Sequence, residues 1–132
     1  MEQKKYSRKF LRINPDQPMF GTASIVQVGV KKVYTGSAKV RILNLSPGGL
    51  RFVSSLNLPA DSRVIIEICF MLDGADYCLK GCVVHSRATE VSEYEYGFRF
   101  LEPVGNLREA LKKLFSKMYV MSNRHIVILR LK

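Results

Sequence analysis

The 132-residue sequence has no apolar run approaching the roughly 18 residues that a bilayer-spanning helix needs. Residues 1–12 are charged and lack the apolar core of a secretion signal, so a soluble, cytoplasmic protein is expected. Catalytic signatures are missing too. There is no G-x-S-x-G elbow and no phosphate-binding P-loop, and neither His85 nor His125 sits in a nucleophile pattern. No catalytic residue is assigned, and an enzyme is not expected. The three cysteines, Cys69, Cys78 and Cys82, form no C-x-x-C pair, and neither histidine has ligand-type spacing from them. A zinc site is therefore not expected, and no metal ligand is assigned.

Apolar residues make up 47% of the chain, enough for one core and too many for a disordered segment. The net charge of +10 is unevenly placed. Lys4, Lys5, Arg8, Lys9 and Arg12 stand against Glu2 alone in residues 1–12, and seven basic residues stand against Glu109 in residues 105–132. Between them, residues 13–104 carry nine basic and nine acidic side chains. Two basic ends on a neutral body differ from the evenly basic surface of a general nucleic-acid binder. They suggest an anion-gripping arm, 1–12, ahead of a neutral domain, 13–104, and a basic apolar tail, 105–132. The tail reads equally well as a solvated end.

From Phe20 to Leu101 the dominant hydrophobic period is two. Ala38, Val40 and Ile42 alternate with charged Lys39 and Arg41; Val64, Ile66, Ile68, Phe70 and Leu72 form a second inward face; Tyr94, Tyr96, Phe98 and Phe100 form a third. Such alternation marks half-buried antiparallel strands. Turn residues punctuate it at Pro47-Gly48-Gly49, Leu58-Pro59-Ala60-Asp61 and Asp73-Gly74-Ala75-Asp76. The pattern predicts an all-β dominated fold, a small six-stranded antiparallel barrel. After Pro103 the period changes. Leu107, Leu111, Leu114, Met118 and Met121 recur at helical spacing, predicting a C-terminal amphipathic α-helix that packs on the barrel end or forms a dimer seam. Residues 125–131 read either as one more helical turn or as a strand, and a homodimer through this segment is one expectation.

The hairpin around Asp73-Gly74 is expected to pair Leu72 with Tyr77, Phe70 with Leu79 and Ile68 with Gly81, with all apolar residues on one face. That register puts the cysteines on the other face, Cys69 diagonal to Cys78 at roughly 7–8 Å. The separation favours free thiols.

Two short motifs remain. Arg8-Lys9-Phe10-Leu11-Arg12 is an R-x-x-x-R in the basic arm, and Asn44-Leu45-Ser46-Pro47-Gly48-Gly49 is an N-x-S-x-x-G at a turn ending a strand. Their order, the roughly 30-residue gap and the flanking β pattern resemble the PilZ domain family over about residues 6–120. Tyr96-Gly97-Phe98-Arg99-Phe100 looks like that family's last barrel strand, followed by its helix. The resemblance implies a cyclic di-GMP receptor that changes conformation or partner binding when the ligand arrives, in bacterial settings such as motility or biofilm formation. It implies no cofactor besides the ligand, and a downstream protein partner. The implied ligand contacts are Arg8, Lys9, Arg12, Asn44, Ser46, Gly48 and Gly49, with His85 and Arg87 as further contacts.

The chemistry agrees with that implication. An arginine fork matches guanine O6 and N7 or a phosphate, and glycines let a backbone approach a ligand closely. The family commonly has Asp at the position of Asn44, which here lacks the charge. Strict alternation points His85 inward, so it would have to lie at the barrel rim. Two rival readings are a PilZ adaptor that binds only proteins and a basic nucleic-acid-binding barrel. The second requires exposed aromatics on a basic face, whereas the aromatics here fall on core faces; no specific nucleic acid is expected.

Overall fold

The computed structural model describes residues 14, 15, 17–102 and 107–113. Arg8, Lys9, Arg12, the end of the amphipathic stripe and residues 125–131 lie outside them. Among the described residues there are seven strands: β1 (Met19–Val28), β2 (Lys31–Lys32), β3 (Ala38–Ser46), β4 (Gly49–Ser54), β5 (Val64–Leu72), β6 (Ala75–Ala88) and β7 (Tyr94–Phe100). All neighbours are antiparallel, in the order β2-β1-β3-β4-β7-β6-β5, and β1 also pairs with β5. That last pairing closes six strands into a barrel, with two-residue β2 as an appendage on β1. Closure removes the unpaired edges that an open sheet would present.

The expected faces are the observed ones. Val40, Ile42, Ile66, Ile68, Phe70, Tyr96, Phe98 and Phe100 all point into one core with Phe52 and Leu45. Burying each large side chain contributes on the order of 1.5–3 kcal/mol. A helix over residues 107–113 sets Leu107 and Leu111, one turn apart, into the same core, fully buried. The predicted helix therefore packs on its own barrel over the described residues.

Two expectations about the β5–β6 hairpin are corrected. Its loop is only Asp73-Gly74, both residues having positive φ (51° and 84°), the conformation that a two-residue hairpin favours and that Asp-Gly accommodates. The ladder therefore pairs Leu72 with Ala75, Phe70 with Tyr77 and Ile68 with Leu79, two residues away from the expected register. A shift of two leaves every side chain on its original face, so the hydrophobic pattern is equally satisfied. It does move Cys69 directly opposite Cys78, with Cα atoms 4.0 Å apart, and the two form a disulfide where free thiols were expected. Cys82 is a buried free thiol.

The loop from β4 to β5 is tied down by one buried phenol. Tyr96 Oη accepts a hydrogen bond from the Leu58 backbone N–H at 2.7 Å and donates to the Leu56 carbonyl. Burial raises the phenol's pKa, so it stays protonated and able to donate. Tyr96→Phe removes both bonds and leaves the Leu58 amide without its acceptor. The expected cost is about 1–3 kcal/mol, read as a lower urea midpoint at unchanged slope.

Candidate ligand-binding groove

Strand alternation alone would send Asn44 inward after Val40 and Ile42, and His85 inward after Val83. Two β-bulges prevent this. In the β3–β4 ladder the register runs Ile42 to Phe52 and then Asn44 to Arg51, leaving Leu43 as an extra residue. In the β6–β7 ladder it runs Val83 to Phe98 and then His85 to Gly97, leaving Val84 extra. Each extra residue reverses the parity of the strand beyond it. Leu45 thus turns into the core while Asn44 turns outward, and His85 emerges on the outer wall. The expected inward direction of His85 is corrected by this bulge.

The outcome is a row across four adjacent strands: Asn44 beside Arg51, Arg51 beside Gly97, Gly97 beside His85. A Cβ on Gly97 would come within 2.3 Å of His85 Nε2, so the imidazole lies across the bare glycine backbone. One step along the strands lies a second row, Ser46, Gly49 and Arg99. Ser46 Oγ donates to the Gly49 carbonyl at 3.2 Å, and the Phe100 N–H donates to the Gly48 carbonyl at 3.0 Å, pinning the Pro47-Gly48 turn to β7. Gly49 is sterically required, since a Cβ there would sit 2.1 Å from the Phe98 carbonyl oxygen. Gly48 faces open space and has no such constraint.

These rows form one wall of a groove of about 590 Å³, and Arg108 of the helix lines it as well. Asn44, Ser46, Gly48, Gly49 and His85 all line it, so the structure brings together five of the residues named from sequence. Arg87 is not among the lining residues. It reaches instead to Glu95, with Nη2 2.6 Å from Oε1. Arg51, Arg99 and Arg108 are groove residues that the sequence motifs did not identify. Arg51 and Arg99 could have been found by extending the outward parity of β4 and β7 beside the Asn44 turn.

Arg51 is both a lining residue and an ion-pair partner. Its Nε donates to Glu95 Oε2 at 3.1 Å and its Nη2 bonds the same oxygen. Glu95 thus sits between Arg51 and Arg87, its side chain only 14% exposed. The hydrogen bonds from Arg51, reinforced by both guanidinium charges, hold its carboxyl below the ordinary carboxylate range despite burial. Two cations around one anion leave an excess positive charge beside the groove. Arg99 and Arg108 make no ion pair with any described residue. Glu102 also lines the groove, but three arginines outnumber it, so the cleft is net cationic, with amide, hydroxyl and imidazole groups at hydrogen-bonding positions. Such a lining suits an anion that also carries hydrogen-bonding edges.

A family model described as the PilZ domain matches residues 6–117. No curated protein matches the chain. Among solved structures, the Bacillus subtilis inhibitor of motility MotI/DgrA aligns over 91% of this chain and 53% of its own, at 12% identity and a TM-score of 0.63. The PilZ domain of YcgR from Escherichia coli, solved with c-di-GMP, aligns over 92% of this chain and 98% of its own, at 16% identity and a TM-score of 0.56. The MrkH–c-di-GMP complex of K. pneumonia aligns over 91% and 55%, at 10% identity and a TM-score of 0.57. The chain spans about half the length of the first and third and nearly all of the second. At these identities the likeness is one of fold.

Glu95 should make part of the stability pH-dependent. Its folded pKa lies below the ordinary value of 4.5, so its contribution is present above that value and is lost as pH falls through the folded one. Wild type should be more stable than Glu95→Gln at neutral pH, and the gap should close on acidification. Urea unfolding of both proteins between neutral and acid pH checks this. A gap independent of pH would assign the stabilisation to packing rather than charge.

Proposed function

The chain belongs to the PilZ domain family, and on that footing we propose that it is a receptor for cyclic di-GMP, a nucleotide-binding signalling protein rather than an enzyme. The observation that carries this reading is the convergence of Asn44, Ser46 and Gly49 with Arg51, Arg99 and Arg108 on one groove. Cyclic di-GMP has two phosphates and two guanine edges, which arginine forks and short polar side chains bind with complementary geometry. Its presence in the YcgR and MrkH structures supports the choice of ligand.

In this reading Arg8 and Arg12 close over the ligand from the arm, and Lys9 adds phosphate attraction. Asn44 and Ser46 take a guanine edge or a phosphate, and Gly49 lets the turn approach closely. His85 offers a ring face above Gly97. Arg87 acts indirectly, by sharing Glu95 with Arg51. Binding changes the surface of the domain, and a protein partner reads the change. Control of motility is the process that the inhibitor-of-motility likeness suggests. A sequence-general nucleic-acid role is disfavoured by burial of Phe52, Tyr96, Phe98 and Phe100; Phe20 and Tyr34, which do not share their burial, are exposed but lie outside the groove lining.

Calorimetry of the full chain against cyclic di-GMP, GTP and single-stranded DNA tests the reading. Heat with the cyclic dinucleotide alone is expected, and its absence would overturn the proposal. Arg8→Ala and Arg12→Ala should each cost about 1–3 kcal/mol, roughly five- to 150-fold in affinity. Asn44→Ala should weaken binding while Asn44→Asp preserves or strengthens it. Identical titrations for wild type and Asn44→Ala would reduce Asn44 to a turn residue.

A further inference from the structure

The outer wall of β5 and β6, away from the residues lining the groove, carries a second chemical feature. Cys69 and Cys78 are directly opposed across the ladder, and Glu67 lies two residues before Cys69 on the same face. The two sulfur atoms and a Glu67 carboxylate oxygen all lie within 4.8 Å of one another. Cys78 is exposed and the other two are partly buried, so the cluster opens to solvent on one side. No motif spacing reveals this set, because its members come from two strands joined only by register.

We propose that Glu67, Cys69 and Cys78 form a thiol-gated zinc site, closed when the cysteines are a disulfide and available to one Zn²⁺ when they are reduced. Zinc takes thiolate and carboxylate ligands in tetrahedral geometry, and three protein ligands leave the fourth position to water on the exposed side. Reduction by a dithiol transfers two electrons and two protons to the disulfide, and the dithiol closes to its own disulfide. Zinc binding then releases the two thiol protons, because the thiolate is the ligand. Two thiolates and one carboxylate around Zn²⁺ leave a single negative charge. Lys80, directly opposite Glu67 on β6, supplies a neighbouring cation. Cys82 does not belong to the set: it is buried and four strand residues from Cys78, about 13 Å along the chain.

The gate makes a prediction that an ordinary structural disulfide does not. Full-length protein, reduced with a dithiol and desalted without oxygen, should retain one Zn²⁺ per chain against a chromophoric chelator. Oxidised protein should retain none. Cys69→Ser and Cys78→Ser should each weaken binding by about a hundredfold or more, and Glu67→Gln by about tenfold. Cys82→Ser should bind as wild type. Co²⁺ in place of zinc should give thiolate charge-transfer bands that vanish in the Cys78→Ser protein. Alkylating reduced wild type should also abolish binding, so the conclusion does not depend on any variant folding. Zinc retained equally by the oxidised protein or by Cys78→Ser, or no zinc retained by reduced wild type, would overturn the proposal.

Discussion

The pairing of β1 with β5 is the constraint on which the rest of the molecule depends. Once that ladder forms, the six strands have no free choice of inner and outer face. Apolar residues at alternate positions must enter one shared interior, and whatever lies between them becomes wall. Tyr96, Phe52, Ile66 and Ile68 are fully buried because the barrel is closed around them, and Leu107 and Leu111 complete the same core from the helix. A wall so fixed on its inner side can display chemistry on its outer side at defined spacings.

The proposed site on that wall depends on departures from regularity. The extra residues Leu43 and Val84 each reverse strand parity once, and together they bring Asn44 and His85 into one row with Arg51 and Gly97. A regular barrel of the same sequence would bury both polar side chains, at a cost of several kcal/mol without partners. The bulges therefore avoid that cost and place the two side chains in the groove together. The nearby Glu95 has a related role: by holding Arg51 and Arg87 it fixes one cation of the groove while leaving Arg99 and Arg108 without an ion-pair partner among the described residues. A cationic groove held partly rigid loses less entropy when an anion arrives.

The β5–β6 hairpin shows how a local turn controls distant chemistry. Asp73 and Gly74 adopt the left-handed conformation at both loop positions, and this alone sets which residues face each other along the ladder. The pairing of Cys69 with Cys78, and the neighbouring place of Glu67, result from a two-residue turn several residues away. A longer loop would have kept the same core and separated the sulfurs.

The inward faces of β3, β5 and β7, the change of period before the helix, and the two motifs that resemble the PilZ family were legible in the amino-acid order. These are local quantities: a period of two or of 3.6 is written in neighbouring residues, and so is a motif. That order did not determine the register of the β5–β6 hairpin, because a shift of two residues preserves every face and the hydrophobic pattern cannot distinguish the alternatives. It did not place His85, because a bulge changes parity and is selected by the partner strand as much as by the bulged one. Outward parity marks Arg51 and Arg99 as wall residues, but their place beside Asn44, and that of Arg108 from the helix, comes from tertiary structure. Only the closed sheet decides which residues sit side by side, for cross-strand neighbours are fixed by hydrogen-bonded register between segments distant in the chain.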